Sequence, residues 1–459
     1  MTPEEIKELK DRLLYKKTNA YEVMTEENKA EMEGYIKGYM SFLDKCKTER
    51  EAVLESIKLA KEKNFVEYNF GDKIVKGGKY YYNNRGKELI LFTIGSEDVE
   101  NGIRISAAHI DSPRLDLKPH PIYEEGNMGF FKTHYYGGIK KYQWTAIPLS
   151  IHGCVIRADG TSVDVIIGED DTDPVFYVND LLPHLAKNQV TKPLADGITG
   201  EQLNILIGSE PLEGDIKLAL LKILNEKYGI TEADFISAEL TVVPAYKSRE
   251  IGFDRSLIGG YGHDDRVCSY PSLLSIIEAE SPVHTLMVIL ADKEETGSGG
   301  NSGMQCDVFT DLVSSISNEL GANEYLVRKN SKCLSADVNA AFDPNFADAY
   351  ESRNSAFINN GVVLTKYTGS RGKGGTSDAS AEFVGYVRNI FDKAGIVWQT
   401  GELGKVDQGG GGTVAIYIAE KNIDVVDLGV PVISMHAPWE VVSKADCYMT
   451  YKAFKAFNE

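Results

Sequence analysis

Residues 291–295 read Ala-Asp-Lys-Glu-Glu, between an apolar run, His284-Thr-Leu-Met-Val-Ile-Leu290, and the glycine-rich Thr296-Gly-Ser-Gly-Gly300. The run has the composition of a buried strand, and the glycines that of the loop after it. Adjacent side chains at a strand end diverge, so of Glu294 and Glu295 one can bind a metal while the other faces a substrate as a general base. A solvated acidic loop is the structural alternative. Four other strand-like runs end in ligand-type residues: His109-Ile-Asp-Ser-Pro113, Tyr261-Gly-His-Asp-Asp-Arg266, Ala336-Asp-Val-Asn339 and, after the strand ending at Leu428, Ser434-Met-His-Ala-Pro438. Each alone has a plain reading. A lone His-x-Asp is usually structural, Asp264-Asp265 can cap a helix, and Asp337 can be a turn carboxylate. Jointly, two His, two Asp and one Glu are nitrogen and oxygen ligands suited to zinc or a similar divalent ion. Five ligands exceed one tetrahedral site and suffice for two if a carboxylate bridges. Asp111 follows His109 by two residues and can accept the other imidazole N–H, or act as a turn residue before Ser-Pro.

The elements that must position these residues fall into two kinds. Helical patterns cover much of residues 3–64, including a stretch at 26–45 and one opened by the capping box Thr48-Glu-Arg-Glu51. Strands are predicted at 80–82, 89–94 and 103–108. From about 113 to 250 aromatic and β-branched residues alternate with turns, which predicts a mostly β segment. Beyond about 255, strands at 285–290, 333–336, 361–365 and 424–428 alternate with helices near 268–279, 377–394 and 413–421. The expected fold is α/β, with a mixed, largely parallel sheet flanked by helices and a mostly-β domain inserted into it. The α/β domain is expected over 1–112 and 253–459, and the inserted β-rich domain over 113–252. Ligands of open α/β sheets bind beyond the carboxyl ends of the strands, where the five ligand-bearing segments fall.

Bulk properties narrow the function. A chain of 459 residues, 42% hydrophobic and 25% charged, has ordinary globular composition and is long enough for two domains. A net charge of −19 disfavours nucleic acid and anionic membranes as partners. No apolar run approaches the roughly 20 residues of a membrane span. The first residues are charged without an apolar signal region, and the six scattered cysteines include no Cys-x-x-Cys pair, so reduced thiols and a cytoplasmic location are expected.

The order His-x-Asp, Asp, Glu-Glu, Asp, His resembles the co-catalytic di-zinc aminopeptidases. The forms His109-Ile-Asp-Ser-Pro-Arg114, Asp292-Lys-Glu-Glu-Thr-Gly-Ser298, Ser335-Ala-Asp-Val-Asn339 and Ser434-Met-His436 are similar to the aspartyl aminopeptidase family, with Tyr136-Gly-Gly138, Trp144 and Pro183-His-Leu-Ala186 in support. The resemblance implies His109 and Asp337 on one zinc, Glu295 and His436 on the other, Asp264 bridging, and Glu294 as general base and acid. It implies two Zn2+ per subunit, replaceable by Co2+ or Mn2+, and peptide substrates with a free N-terminus. It also implies dimers assembled into a dodecamer through the inserted domain, with His184 as the candidate that reaches a neighbouring active site. Asp265 matches a neighbour that does not ligate, and His263 is expected to be structural.

Two departures mark a divergent, bacterial-type member. Trp144-Thr-Ala-Ile-Pro148 stands where the family often has Trp-Phe-Asp-Arg-Asp, and the stretch Lys405–Thr413 with its four glycines stands where it often has Cys-Gly-Thr-Thr. An acidic first residue would need a cation in its pocket, for which Lys366, Arg371, Lys373 and Lys405 are candidates. The competing functions are a di-zinc carboxypeptidase or amide deacylase with the same core, and a catalytically silent assembly protein on the same fold.

Overall fold

The computed structural model describes residues 1–459. Four helices open the chain, Pro3–Leu13, Ala20–Val23, Glu26–Lys45 and Glu49–Glu62. In Glu26–Lys45, Met32, Tyr35, Ile36, Tyr39 and Leu43 recur at helical spacing and are all buried. The capping box forms: Glu51 N donates to Thr48 Oγ1 at 3.3 Å, and Thr48 N to Glu51 Oε2 at 3.0 Å.

Nine strands make the main sheet, in the order Val66–Glu67, Lys79–Asn84, Glu88–Thr93, Thr285–Ala291, Ile103–His109, Lys332–Ala336, Asp424–Gly429, Val362–Thr365, Trp398–Thr400. The central strand Ile103–His109 runs parallel to both neighbours, and Lys332–Ala336 runs parallel to Asp424–Gly429. Every residue of Ile103–His109 and Thr285–Ala291 is buried, as expected for a sheet covered on both faces. Alternate side chains feed two cores: Leu286, Val288 and Leu290 enter one, Met287, Ile289 and Ala291 the other.

All seven strands of a second, antiparallel sheet lie between Arg114 and Pro244, around a core that includes Leu115, Phe131, Trp144, Ile151 and Val242. The helix Ile216–Tyr228, absent from the sequence expectation, crosses this β unit. Asp215 caps it at one end and Gly229, at φ 67°, closes the other. The β unit meets the N-terminal helices along a buried seam. There Lys47 Nζ donates to Glu169 Oε1 (2.7 Å) and to the carbonyls of Pro244 (2.6 Å) and Tyr246 (3.2 Å). His152 bridges Glu51 (2.7 Å) and Glu169 (3.1 Å).

A third sheet departs from expectation. Its five short strands are Arg249–Ile251, Leu257–Gly260, Glu440–Ser443, Pro431–Ile433 and Asn339–Ala340. The chain leaving Asp424–Gly429 enters it at once, so His436 follows Pro431–Ile433 rather than a main-sheet strand. Asp264 likewise follows Leu257–Gly260 of this sheet. Helix limits also shift. The first of the three predicted helices spans His263–Ile277; the second begins at Ala381, because Ser380 accepts from Phe383 N and caps it (3.2 Å). The third shortens to Ala415–Ala419. Val308–Leu320 and Lys444–Asn458 are further helices whose apolar stripes complete the flanking layers.

Candidate metal centre

Three neighbouring main-sheet strands deliver His109, Glu294 with Glu295, and Asp337 to one end, and the small sheet delivers Asp264 and His436 to the same place. His109 Nε2 stands 3.2 Å from Asp264 Oδ1, 3.8 Å from Asp337 Oδ1 and 3.9 Å from Glu294 Oε2. His436 Nε2 stands 3.1 Å from Asp264 Oδ2 and 3.5 Å from Glu295 Oε1. Two ligand sets result, His109–Asp264–Asp337 and Asp264–Glu295–His436, each with its donor atoms within 4.8 Å of one another, and Asp264 belongs to both.

The outward nitrogens of the two histidines are occupied. His109 Nδ1 lies 3.0 Å from the Asp111 carbonyl and 3.3 Å from its carboxylate, and His436 Nδ1 donates to the Gly138 carbonyl at 2.7 Å. A carbonyl can only accept, so both Nε2 atoms are left to face the cluster. The Asp111 carboxylate accepts the backbone N–H groups of Glu294 and Glu295, both at 3.1 Å, and the Tyr136 hydroxyl at 2.8 Å. Asp111 thus ties together the ends of two strands. Glu440 does the same for the small sheet: it accepts from Asp264 N at 3.1 Å and from His436 N at 2.6 Å. The Ser112 hydroxyl donates to the Asp264 carbonyl at 2.6 Å. Sequence reasoning misses Glu440; its only local signal is a carboxylate opening the short strand Glu440–Ser443, four residues after His436.

The electrostatics are those of too many carboxylates in too little solvent. Burial raises Glu294 to about 8, helped by Asp337, Asp111 and Asp264 and opposed by His109. Burial, then Asp264, raises Glu295 well above the carboxylate range, and burial raises Asp337. Burial opposes charge on the imidazoles, but the carboxylates outweigh it, holding His109 well above its usual range and His436 at about 10. Asp264 is held low because its bonds to both histidines overcome burial. Asp264 Oδ1 and Glu295 Oε1 are buried without a well-formed hydrogen bond. Carboxylate oxygens without well-formed hydrogen bonds, beside imidazole nitrogens facing inward, fit divalent cations. His263, by contrast, is fully buried, kept neutral by burial at about 3, and bonded to Tyr39 Oη at 2.6 Å.

The cluster opens on a cleft of about 380 Å³ whose walls include Asn339, Thr365, Thr368, Leu403, Thr413 and Met435, with Gly410–Gly412 at one side. None of the cationic candidates lines it. Lys366 and Lys373 both pair with Asp378, and Lys373 lies 3.8 Å from the centroid of the Tyr367 ring. Arg371, Lys373 and Lys405 line, with Glu402, an adjoining depression that shares Thr368, Leu403 and Gly410 with the cleft. His184 is exposed on the β unit, away from this cleft.

A pair of ligand sets sharing one carboxylate at the side of an open cleft is an arrangement of metal-dependent hydrolases. A family model described as aminopeptidase I zinc metalloprotease (M18) matches residues 42–458. A probable M18 family aminopeptidase 1 of Clostridium acetobutylicum is 49% identical over 458 residues, covering 97% of this chain and 98% of its own. The crystal structure of an M18 aminopeptidase from Thermotoga maritima superposes with a TM-score of 0.93 at 43% identity, covering 97% of this chain and all of that one. The S. cerevisiae mApe1 dodecamer matches in fold, with a TM-score of 0.77 at 21% identity, covering 93% of this chain and 97% of that one. The chain belongs to the M18 family of zinc aminopeptidases.

Proposed function

We propose that this zinc aminopeptidase works through a pair of zinc ions, with His109 and Asp337 on one, Glu295 and His436 on the other, and Asp264 shared. The observation that carries the reading is the membership of Asp264 in both ligand sets. Bound there, the ions would supply Lewis acidity for water and for the scissile carbonyl. The chain's own residues do the rest. Glu294 lies within 3.9 Å of His109 Nε2 yet belongs to neither ligand set, and its carboxylate faces the cleft. It takes a proton from water as attack begins and returns it to the leaving amine. Asp111 fixes His109 and, through the two backbone N–H groups, the directions of Glu294 and Glu295. The carboxylates at the cleft floor also suit the positive α-amino group of a peptide, which selects N-termini.

The cleft wall of Asn339, Thr365, Thr368, Leu403 and Met435 suits an uncharged first side chain better than an acidic one. Digestion of a peptide library by zinc-loaded protein tests both points. Release of N-terminal residues with neutral side chains is expected; release from C-termini or from N-acyl amino acids favours the carboxypeptidase or deacylase alternative. Replacement of zinc by Co2+ or Mn2+ is expected to retain turnover.

The β unit, taken as residues 113–252, is proposed as the assembly surface. Leu181, Leu182, Leu185, Val190 and Leu194 beside His184 are all exposed there, and the yeast relative is described as a dodecamer. Solution mass measurement is expected to give a dodecamer built from dimers. No helix is long and apolar enough to cross a membrane, and a cytoplasmic location is proposed.

A further inference from the structure

The tripeptide Tyr136-Gly-Gly138 ends a strand of the β unit and reaches both ligand sets, one through Asp111 and the other by direct contact. The Tyr136 hydroxyl donates to Asp111 Oδ2 at 2.8 Å, and Asp111 in turn holds His109 and the backbone of Glu294 and Glu295. Two residues on, the Gly138 carbonyl accepts from His436 Nδ1 at 2.7 Å. The contact leaves no slack. A Cβ at Gly138 would lie 3.3 Å from His436 Nδ1, and one at Gly137, which has φ 74°, would lie 3.2 Å from Glu295 Oε2. The tripeptide is itself anchored. Arg114 pairs with Tyr136 across the antiparallel ladder, its guanidinium sits 4.0 Å from the centroid of the Tyr136 ring, and it is bonded at 2.9 Å to both Glu49 and Asp116. Glu49 belongs to the N-terminal helices, so the tripeptide is fixed from both sides of the junction between the β unit and the α/β core.

We propose that Tyr136–Gly138 is the device by which the β unit sets the metal ligands, with Tyr136 a positioning residue acting through Asp111 and the Gly138 carbonyl acting on His436. The affinity for zinc therefore depends on how the β unit is seated against the core. Partners that orient metal ligands commonly contribute about 10–100-fold in metal affinity. The inference rests on the ligand reading above.

The test measures zinc dissociation constants of the intact protein by competition with a chromophoric chelator, alongside melting temperatures of the zinc-free forms. Tyr136→Phe keeps the ring over Arg114 and removes only the hydroxyl; about 10–100-fold weaker zinc binding is expected, with the melting temperature of the zinc-free protein little changed. Gly138→Ala presses on His436 alone and is expected to weaken one of the two zinc sites. Tyr261→Phe is the control. Its hydroxyl is also buried and also bonded, to the Pro113 carbonyl at 2.9 Å, but does not touch Asp111. It is expected to lower the melting temperature and leave zinc affinity alone. Zinc binding by Tyr136→Phe within about twofold of wild type overturns the inference, as does an equal loss in Tyr261→Phe. His109→Ala and His436→Ala separate the two levels: if neither loses zinc, the ligand reading fails and the inference falls with it.

Discussion

The metal cluster and the seam between the β unit and the N-terminal helices are both built from buried charge, and they treat it oppositely. In the seam every strong group is answered. Lys47 directs its three ammonium hydrogens to Glu169 and two carbonyls, and His152 uses both ring nitrogens. The bonds from His152 and Lys47 overcome burial and hold Glu169 at about 2. In the cluster, carboxylates outnumber imidazoles, Asp264 Oδ1 and Glu295 Oε1 face imidazole nitrogens without a well-formed hydrogen bond, and the carboxyls of Glu294, Glu295 and Asp337 are pushed upward. A closed network stabilises the fold by itself, whereas an open one is completed by something the chain does not encode.

Four experiments would break or sharpen that contrast. The largest effect is expected from Glu294→Gln, which should lower turnover by roughly 10²–10⁴-fold while two zinc ions per chain remain, as read by metal analysis and peptide hydrolysis. Near-normal turnover by the loaded variant would remove Glu294 from the proton-transfer role. Glu295→Ala should drop zinc content from two toward one, and a variant with full zinc content excludes Glu295 as a ligand. In the seam, Lys47→Ala removes the ammonium from Glu169, leaves His152 as its only cationic partner, and should cost about 2 kcal/mol in denaturant unfolding, with zinc content intact. If that variant instead loses zinc and keeps its stability, the two regions are not independent.

The smallest effect is a pH dependence in the seam. Burial opposes charge on His152, but Glu169 and Glu51 hold its pKa above the unfolded value of 6.5. Its contribution to stability is therefore complete below pH 6.5 and is lost as pH rises through the folded pKa. Unfolding midpoints at saturating zinc, followed from mildly acidic to alkaline pH, should show wild type converging on His152→Gln at the alkaline end. Curves that stay parallel contradict a charged His152.

What the sequence discloses follows how local each signal is. The capping box at Thr48 is legible because its two partners are three residues apart. His109, the Glu294-Glu295 pair and Asp337 are legible because they follow apolar strands directly. Pro431–Ile433 is too short for any period to register, so sequence alone assigns His436 to the wrong sheet. The helix Ile216–Tyr228 is masked by a stretch dominated by β-forming neighbours. Contacts such as Gly138 carbonyl to His436 are invisible for a different reason: the group is main chain, common to every residue, and its partner is 298 positions away. Lys366 and Lys373 have the right charge, but a side chain pointing to Asp378 instead of the cleft is a tertiary fact.

The same glutamate that closes the capping box, Glu51, also holds His152 of the β unit. One carboxylate thus starts a helix and rivets a neighbouring unit to it. The β unit is consequently a poor candidate for excision or exchange. A chain engineered to bypass residues 113–252 would free one oxygen of Glu51 and take from the ligand cluster both the Tyr136 hydroxyl and the Gly138 carbonyl. Modularity in this molecule ends where the strands of the inserted sheet begin to supply atoms to its host.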